Sequence, residues 1–308
     1  MVFFVDCTFG GGGYSKAILK HPKTKLIGID RDKSVTFIAK KLEKKFKNRF
    51  QFFQVKFSQI DKILKENADT IIFDLGLSSL QLKNLSRGFS FHSQDKLDMA
   101  MGLSDFSAKE AVNNLSEMQL KSIIKILGEE KEAKKIAKNI VNARSNKKIT
   151  KVHELVKIIE KSKKIKFPSK INPSTKTFQA LRIFVNKEIT ELVNGMVNAT
   201  KYLKPGGKIV IVTFHSIEDK IVKFFFKNFS KNKSNPSRYL PEENSKNLAL
   251  FENYVNKIIR PTKEEIRDNN PSRSAKLRFA VRSKNNFSYP NIFYQKFNKY
   301  LRIEAYNV

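Results

Sequence analysis

The sequence predicts an α/β fold, in which a parallel sheet carries helices on both faces and is interrupted by an inserted helical domain. In the first part of the chain, short apolar runs alternate with segments of helical spacing, which is the pattern of a parallel sheet. From about Ser104 to Pro173 only helical patterns occur, and strand patterns return afterwards. We therefore predict a discontinuous α/β domain, residues 1–103 and 174–308, and a helical insertion, residues 104–173.

The first segment contains four predicted strands, FFVDCTF, KLIGID, FQFFQV and DTIIFDLG. The acids Asp6, Asp30 and Asp74 lie at or near the ends of the first, second and fourth strands. Helices are predicted at YSKAILK, SVTFIAKKLEKKF and SQIDKILKE, each between two strands. This order is typical of a sheet whose neighbouring strands are joined by helices.

The insertion has three apolar stripes at helical spacing. They consist of Leu120, Ile123, Ile124 and Leu127; of Ala133, Ile136, Ala137, Ile140 and Val141; and of Val152, Leu155, Val156 and Ile159. The opposite face of the second helix carries Lys134, Lys135 and Lys138. Lysines on an outer face are usually only solvated, so this face alone is a weak indication of contact with RNA.

After the insertion, a long helix is predicted from about residue 178 to 202, where KPGG ends it. KIVIVTF is a fifth strand, and SIEDKIVKFFFKNF is a helix in which Ser216 and Asp219 have the spacing of a capping box. The polar composition of residues 230–247 predicts a loop, and the segment KLRFAVR is predicted to form a late strand.

The charge of the chain indicates a polyanionic partner. Its 308 residues include 60 Lys and Arg against 29 Asp and Glu, a formal net charge of +31. Clustered cations displace counterions from phosphates, which favours nucleic acid. A lysine-rich codon bias is the alternative, but bias alone would not hold the acids at 29.

Several classes of protein are excluded by what the sequence lacks. No signal peptide or membrane-length apolar stretch occurs, and Cys7 is the one cysteine, so an internal disulfide cannot form. The four histidines are scattered without ligand spacing, and we expect no metal site. We expect a cytoplasmic protein without a membrane partner; the oligomeric state is left open, with a homodimer as one alternative.

Glycines 10–13 follow the first strand in a D-x-x-x-G-x-G pattern that starts at Asp6. No Gly-Lys-Ser/Thr follows, which excludes a P-loop, and Ser15 stands where a dinucleotide fingerprint needs its third glycine. A glycine turn, with Asp30 placed to accept hydrogen bonds from a ribose diol, suits adenosine without a pyrophosphate. S-adenosylmethionine is the common ligand of that kind.

The candidate site lies at the carboxyl edge of the predicted sheet, where ligands of open parallel sheets bind. Residues 7–13, Asp30, Asp74 and the TFHS stretch at 213–216 all fall on that edge. Any one carboxylate could instead cap a helix or be solvated in a loop. Three on one edge favour a site.

A series of motifs resembles a known family. In chain order they are DCTFGGGGYS, FDLGLSSLQL, RGFSF, LDMAM, TFQALRIFVN, LKPGGKIVIVTFHSIEDKIVK and SRSAKLR, and they resemble the ribosomal RNA small subunit methyltransferase H family over about residues 4–283. The resemblance implies a Rossmann-like class I methyltransferase sheet with an inserted helical domain. It also implies methyl transfer from S-adenosylmethionine to N4 of a cytidine in the decoding centre of 16S rRNA in the 30S subunit.

The same resemblance implies site residues. Cofactor contacts fall on Gly12, Gly13, Tyr14, Asp30, Phe57, Asp74 and Gln81. The chain departs from the family at Tyr14, where His is usual, at Leu80, where Pro is usual, and in QDKLDMAM, which lacks a Gly-Pro and an Arg. The family has a leader before the first strand, so we expect either a misassigned start or a pocket that lacks one wall. Residues after about 284 extend beyond the pattern, and we assign them no function.

The reaction needs an acceptor for the amino hydrogens of cytosine, and two residues are candidates for catalysis. Asp74 could accept them or could face the cofactor alone, and His215 could touch the base, relay a proton or orient its own turn. For the substrate, Phe89 and Phe91 could stack on an unstacked base while Arg87 contacts a phosphate. A core role is the alternative for at least one of the two phenylalanines.

Three other functions are weighed against this one. The chain could methylate DNA or another RNA, or it could be a basic RNA-binding assembly factor of the ribosome that does not catalyse. A nicotinamide oxidoreductase is disfavoured by the incomplete dinucleotide fingerprint.

Overall fold

The computed structural model describes residues 1–163, 172–231 and 249–308. Its sheet has six strands in the order β3-β2-β1-β4-β5-β6. The strands are β1 (Val2–Asp6), β2 (Thr24–Asp30), β3 (Phe50–Gln54), β4 (Ala68–Asp74), β5 (Leu203–Thr213) and β6 (Lys276–Val281).

The α-helices of the described residues follow the chain in this order. They are α1 (Gly13–Leu19), α2 (Thr36–Lys45), α3 (Ser79–Lys83), α4 (Ala108–Asn114), α5 (Glu117–Ile126), α6 (Ala133–Asn146), α7 (Val152–Ser162), α8 (Thr175–Asn186), α9 (Glu188–Lys201), α10 (Ser216–Asn228), α11 (Lys263–Asp268) and α12 (Asn291–Glu304). Among the described residues, none of these helices has both the length and the apolar character that a membrane crossing requires.

The α/β class is confirmed, and the sheet is parallel from β1 to β5. Asp6 pairs in register with Gly28 of β2 and Ile72 of β4, which brings the carboxyl ends of these strands to one edge. The late strand β6 is present but runs antiparallel to β5. An antiparallel edge strand on an otherwise parallel sheet is common, because an edge strand needs only one neighbour.

The chain divides into two compact units. The first comprises Met1–Gly76 and Glu191–Lys296 and contains the sheet. The second comprises Leu77–Thr190 and Phe297–Val308, so the predicted insertion lies inside it. In the second unit, the regular elements between residues 104 and 163 are helices, as predicted.

Apolar packing explains both units. In the first, a cluster that includes Phe9, Leu26, Ala39 and Phe50 joins the loop after β1 to β2, α2 and β3. In the second, the three predicted stripes on α5, α6 and α7 are buried, apart from two valines that are half-buried. The lysines opposite the α6 stripe are exposed, as expected for an amphipathic helix.

Two predicted helices differ from the structure. The segment SQIDKILKE forms a short 3₁₀ turn, Phe57–Lys62, because Gln59 leaves helical dihedral angles. The predicted long helix begins earlier, at α8, and is broken by Lys187, whose φ of 51° is left-handed. Lys187 Nζ pairs with Asp105 Oδ2 at 2.7 Å, and Asn186 Nδ2 donates to Met99 O at 2.8 Å. These tertiary contacts stabilise the left-handed backbone at Lys187.

Of the predicted polar loop, residues 232–247 lie outside the described residues.

The last turn of α12 provides a buried acceptor in the second unit. Glu304 accepts hydrogen bonds from the backbone N–H groups of Ile189 and Thr190, at 2.9 and 2.7 Å, and from Thr190 Oγ1 at 2.6 Å. Burial raises the pKa of Glu304 to about 8 even though these donors favour its charged form. Glu304 thus accepts hydrogen bonds from backbone N–H groups in the first turn of α9, which have no acceptor within that helix.

Candidate active site

The structure places Asp6, Asp30 and Asp74 at the carboxyl ends of β1, β2 and β4 in the first unit. Because β2, β1 and β4 are adjacent and parallel, these ends share one edge of the sheet. Asp74 also pairs in register with Val212 of β5, so the segment that follows β5 leaves from the same edge. Residues 7–13, Asp30, Asp74 and the TFHS stretch at 213–216 therefore lie at the carboxyl edge of the sheet, as the sequence predicts.

The glycine turn between β1 and α1 has a backbone that only glycine adopts easily. Gly10 and Gly12 have φ values of 50° and 75°, in the left-handed region. A Cβ on Gly12 would lie 3.0 Å from the ring of Phe9, whereas a Cβ on Gly13 would meet nothing within 4 Å. Gly12 is therefore required by the protein itself, and Gly13 leaves open space at the N-terminus of α1.

Asp30 fixes the start of the turn. Its Oδ2 accepts from Gly10 N–H at 2.8 Å, and its Oδ1 accepts from Asp32 N–H at 2.8 Å. Burial raises the pKa of Asp30, while these two backbone donors act in the opposite sense. Each carboxylate oxygen can accept a further hydrogen bond, as a ribose diol would require.

Asp6 and Thr8 complete the turn, although the sequence places them at this edge without predicting a role for either side chain. The carboxylate of Asp6 is fully buried and accepts from Ser15 Oγ at 2.7 Å and from Thr8 N–H at 3.2 Å. Thr8 Oγ1 in turn accepts from the backbone N–H of Asp74 at 2.7 Å. The signal for these roles was present, since Asp6 starts the D-x-x-x-G-x-G pattern.

Asp74 has the least satisfied side chain of the three acids. Its Oδ1 is buried and has no hydrogen-bond partner among the described residues. Burial, together with the negative charges of Asp6 and Glu218, raises the pKa of Asp74 to about 7. Burial also raises the pKa of Asp6, to about 6.

The electrostatics of this edge favour a cationic ligand. Burial and mutual repulsion make the ionised forms of Asp6, Asp30 and Asp74 costly without a counter-charge. A ligand that combines ribose hydroxyls with a positive charge would relieve that cost. The unpartnered Oδ1 of Asp74 and the open space at Gly13 therefore fit an adenosyl sulfonium.

Tyr14 and Phe57 lie in the same unit. Tyr14 follows the glycine turn with 42% of its side chain exposed, and burial and nearby carboxylates raise the pKa of its phenol to about 12. The ring of Phe57 packs edge-on against Phe73 at 5.3 Å between centroids, and a Cβ on Gly195 would lie 2.6 Å from it. Phe57 is thus partly a core residue, and its contact with a cofactor stays a prediction.

His215 caps α10, so the predicted capping box of Ser216 and Asp219 was wrong. His215 Nδ1 accepts from Glu218 N–H at 3.4 Å, and Glu218 Oε2 accepts from the N–H groups of Phe214 and His215 at 2.8 and 3.2 Å. His215 Nε2 lies 3.1 Å from Glu218 Oε1. Glu is long enough to reach back to two amides, whereas Asp219 instead binds Arg278, with Arg278 Nε 2.8 Å from its Oδ1. This geometry favours the interpretation that His215 orients its own turn.

The remaining predicted residues lie in the second unit. Gln81 is buried and accepts from Ser78 N–H at 2.9 Å, within a capping box at the start of α3. Phe89 is buried with the Arg87 guanidinium 5.4 Å from its ring centroid, which favours the core alternative for Phe89. Arg87 donates to Ala100 O at 2.6 Å.

Phe91 is half-buried and meets the ring of Phe178 edge-on, at 6.3 Å between centroids. Of the two phenylalanines, it is therefore the more accessible to a base. The roles of Gln81, Arg87, Phe89 and Phe91 in binding stay predictions.

Comparison with known proteins decides the family, because the model of the MraW methylase family matches residues 1–283. The chain belongs to the MraW methylase family. It is 44% identical over 280 residues to the ribosomal RNA small subunit methyltransferase H of Ehrlichia canis, covering 89% of this chain and 91% of that protein. It is 41% identical over 289 residues to the protein of the same name from Orientia tsutsugamushi, covering 91% of each.

Among solved structures, a putative rRNA methylase from Clostridium thermocellum aligns over 91% of this chain and 88% of its own, at 12% identity and a TM-score of 0.40. The membership itself identifies this MraW methylase as an enzyme, a methyltransferase that depends on S-adenosylmethionine. The carboxylate edge and glycine turn of its first unit fit that cofactor.

Proposed function

We propose that this methyltransferase acts in the cytoplasm on small-subunit ribosomal RNA, and that it methylates N4 of a cytidine in the decoding centre of the 30S subunit. The observation that carries the proposal is the 40–44% identity to proteins named ribosomal RNA small subunit methyltransferase H, over about nine-tenths of this chain. The net charge of +31 supports an RNA substrate.

Seven residues are proposed to hold the cofactor: Gly12, Gly13, Tyr14, Asp30, Phe57, Asp74 and Gln81. When bound, S-adenosylmethionine supplies a methyl group on a positively charged sulfonium and leaves as a neutral thioether. Asp30 would accept hydrogen bonds from the ribose hydroxyls while its other lone pairs keep Gly10 and Asp32 in place. Gly13 leaves room for a close approach to the backbone.

The protein must also remove a proton, because an amino nitrogen that gains a methyl group loses one N–H hydrogen. Asp74 is proposed to balance the positive charge of the cofactor, which the raised pKa of its unpaired carboxylate supports. Accepting the proton from N4 is its alternative role, since a base with a pKa of about 7 is well matched to neutral pH. His215 is proposed to position the turn after β5 rather than to touch the base.

The proposal is tested by methyl transfer to 30S subunits from a strain that lacks the modification. The subunits are incubated with the enzyme and S-adenosylmethionine that carries a labelled methyl group, and the rRNA is digested to nucleosides. We expect labelled N4-methylcytidine from one position. Label at carbon 5 of cytosine, label only on DNA, or cofactor binding without transfer to the subunit would each overturn it.

A further inference from the structure

Helices α1 and α2 of the first unit enclose a groove that the site described above does not use. Its cavity volume is about 520 Å³. The apolar floor consists of Ile38, Leu42 and Phe46, and Phe37 stands at its side. None of the residues proposed to bind the cofactor lines this groove, so its composition needs another explanation.

Phe37 is unusually accessible for a phenylalanine. With 66% of its surface exposed, it is the most exposed phenylalanine among the described residues. Ile38 and Phe46 beside it are half-buried. Exposing an aromatic ring to water next to an apolar groove is unfavourable, and such patches commonly mark interaction sites.

The rim of the groove is strongly basic. Among the described residues, the eight that line it include Lys16, Lys20, Lys41 and Lys45 and no acid. The ammonium of Lys41 lies 4.2 Å from the ring centroid of Phe37, and that of Lys45 lies 5.5 Å from the centroid of Phe46. Two lysines of α2 therefore each lie beside an aromatic ring, that of Phe37 within the helix and that of Phe46 directly after it.

We propose that this groove binds a single-stranded segment of RNA. A base stacks on Phe37, and phosphates pair with Lys20, Lys41 and Lys45. Every base has a π-face, so an aromatic ring flanked by cations binds single strands with little dependence on sequence. An acidic protein segment would satisfy the lysines, but it would leave the exposed ring without a stacking partner.

The proposal rests on the proposed function in one respect, namely that the RNA is part of the ribosomal substrate. Lys16 links the groove to the cofactor turn, because its Nζ donates to Gly11 O at 2.8 Å. RNA held on α1 and α2 would therefore be anchored on the helix that begins at the glycine turn. The groove adds affinity for the substrate without taking part in methyl transfer.

Two variants test the proposal by direct binding of a fluorescently labelled single-stranded RNA. Phe37→Ala should weaken binding about tenfold, because stacking contributes on that scale. Each phosphate contact of a single strand contributes about 0.7 to the slope of log affinity against log salt. The double variant Lys41→Gln/Lys45→Gln removes two such contacts, so the steepness of that slope should fall by about 1.4. The matched controls are Phe279→Ala, an exposed ring elsewhere in the unit, and Lys62→Gln/Lys65→Gln, an exposed pair elsewhere in it.

Three further measurements distinguish a loss of RNA binding from a loss of folding or of cofactor binding. The melting temperature and the affinity for S-adenosylmethionine should match those of the unaltered protein, because the changed side chains are exposed and lie outside the cofactor residues. With 30S subunits, KM should rise about tenfold while kcat changes less than twofold. Equal RNA affinity in both variants and both controls would overturn the proposal. It would also be overturned if the variants bound polyglutamate, a model of an acidic protein segment, more weakly than the unaltered protein does but bound RNA equally well.

The outcomes separate the two proposals. If the unaltered enzyme methylates no 30S subunit but the variants still lose RNA affinity, the proposed substrate is wrong and the groove stands. If methylation is normal and the variants bind RNA like the controls, the groove proposal alone fails.

Discussion

Asp74 illustrates how single carboxylates at the edge of the sheet are held in surroundings that disfavour their charge. Its Oδ1 is buried without a partner among the described residues, and its pKa is raised to about 7, while that of Asp6 is raised to about 6. The unfolded chain ionises these groups near pH 4. Between about pH 4 and 7 the folded state therefore holds more protons, and its stability falls as the pH rises.

Replacement of Asp74 by Asn should stabilise the protein without ligand at pH 8. The change removes a buried charge, so the free energy of unfolding should rise by about 1–3 kcal/mol at pH 8 and by little at pH 4.5, where the native carboxyl is already protonated. Affinity for S-adenosylmethionine should fall at least tenfold at pH 8, since the counter-charge is lost. Urea unfolding at both pH values and calorimetric titration measure the two effects.

The exposed Asp61→Asn provides the control, because it removes the same charge from the same unit without removing a buried group. A loss of stability in Asp74→Asn that is equal at both pH values would contradict the electrostatic explanation. It would indicate a packing defect instead.

For single residues, the sequence predicts the positions of Asp30 and Asp74, because both stand at the ends of predicted strands. It does not predict the side-chain hydrogen bonds that connect them. The hydrogen bonds of Asp6 and Thr8 could not be predicted, because they depend on Ser15 and on the backbone of Asp74, which the fold brings within 3 Å. Such contacts join separate elements, so the glycine pattern that starts at Asp6 does not by itself indicate which groups Asp6 and Thr8 bind.

The turn between β1 and α1 shows how one element combines two different demands on glycine. Gly12 has a left-handed φ, and a Cβ added to it would lie 3.0 Å from the ring of Phe9, whereas a Cβ added to Gly13 would meet nothing within 4 Å. Gly12→Ala should therefore lower the free energy of unfolding by about 1–2 kcal/mol. Gly13→Ala should keep the stability but lose at least tenfold in cofactor affinity. Thermal unfolding and calorimetry distinguish the two, with Gly11→Ala as the control that keeps both properties.

The start of α10 allows the two interpretations of His215 to be separated. His215→Asn keeps a side chain that caps helices well but removes the imidazole. We expect kcat within about threefold of the unaltered enzyme, because the ring orients its turn and does not transfer a proton. A kcat that falls a hundredfold while the melting temperature is unchanged would assign the ring a chemical role.

Elements were predictable where apolar spacing alone determines them, as in α5, α6 and α7. The break at Lys187 was not, because the sequence around it contains no Gly or Pro. Contacts of Asn186 with Met99 and of Lys187 with Asp105 hold the left-handed residue, and both partners lie more than 80 positions away in sequence. The cap of α10 was misassigned by one residue because Ser is a far commoner cap than His.

The whole molecule carries a net charge of +31, which both favours RNA and opposes folding through self-repulsion. Raising NaCl from about 50 to 300 mM should therefore raise the melting temperature by several degrees, because salt screens the repulsion. The same change should lower the affinity for RNA by about a thousandfold, since released counterions favour binding less at high salt. Sucrose serves as the uncharged control and should leave RNA affinity unchanged; a melting temperature that falls with salt would contradict the expectation.

The carboxylate of Glu304 has a consequence for how the chain matures on the ribosome that makes it. The amide groups of Ile189 and Thr190 that it binds are translated 115 and 114 residues earlier. Nascent chains generally fold from the N-terminus onward, but these amides gain their acceptor only when α12 has emerged. The second unit therefore completes its hydrogen bonding late in translation, after the strands and helices of the first have been made.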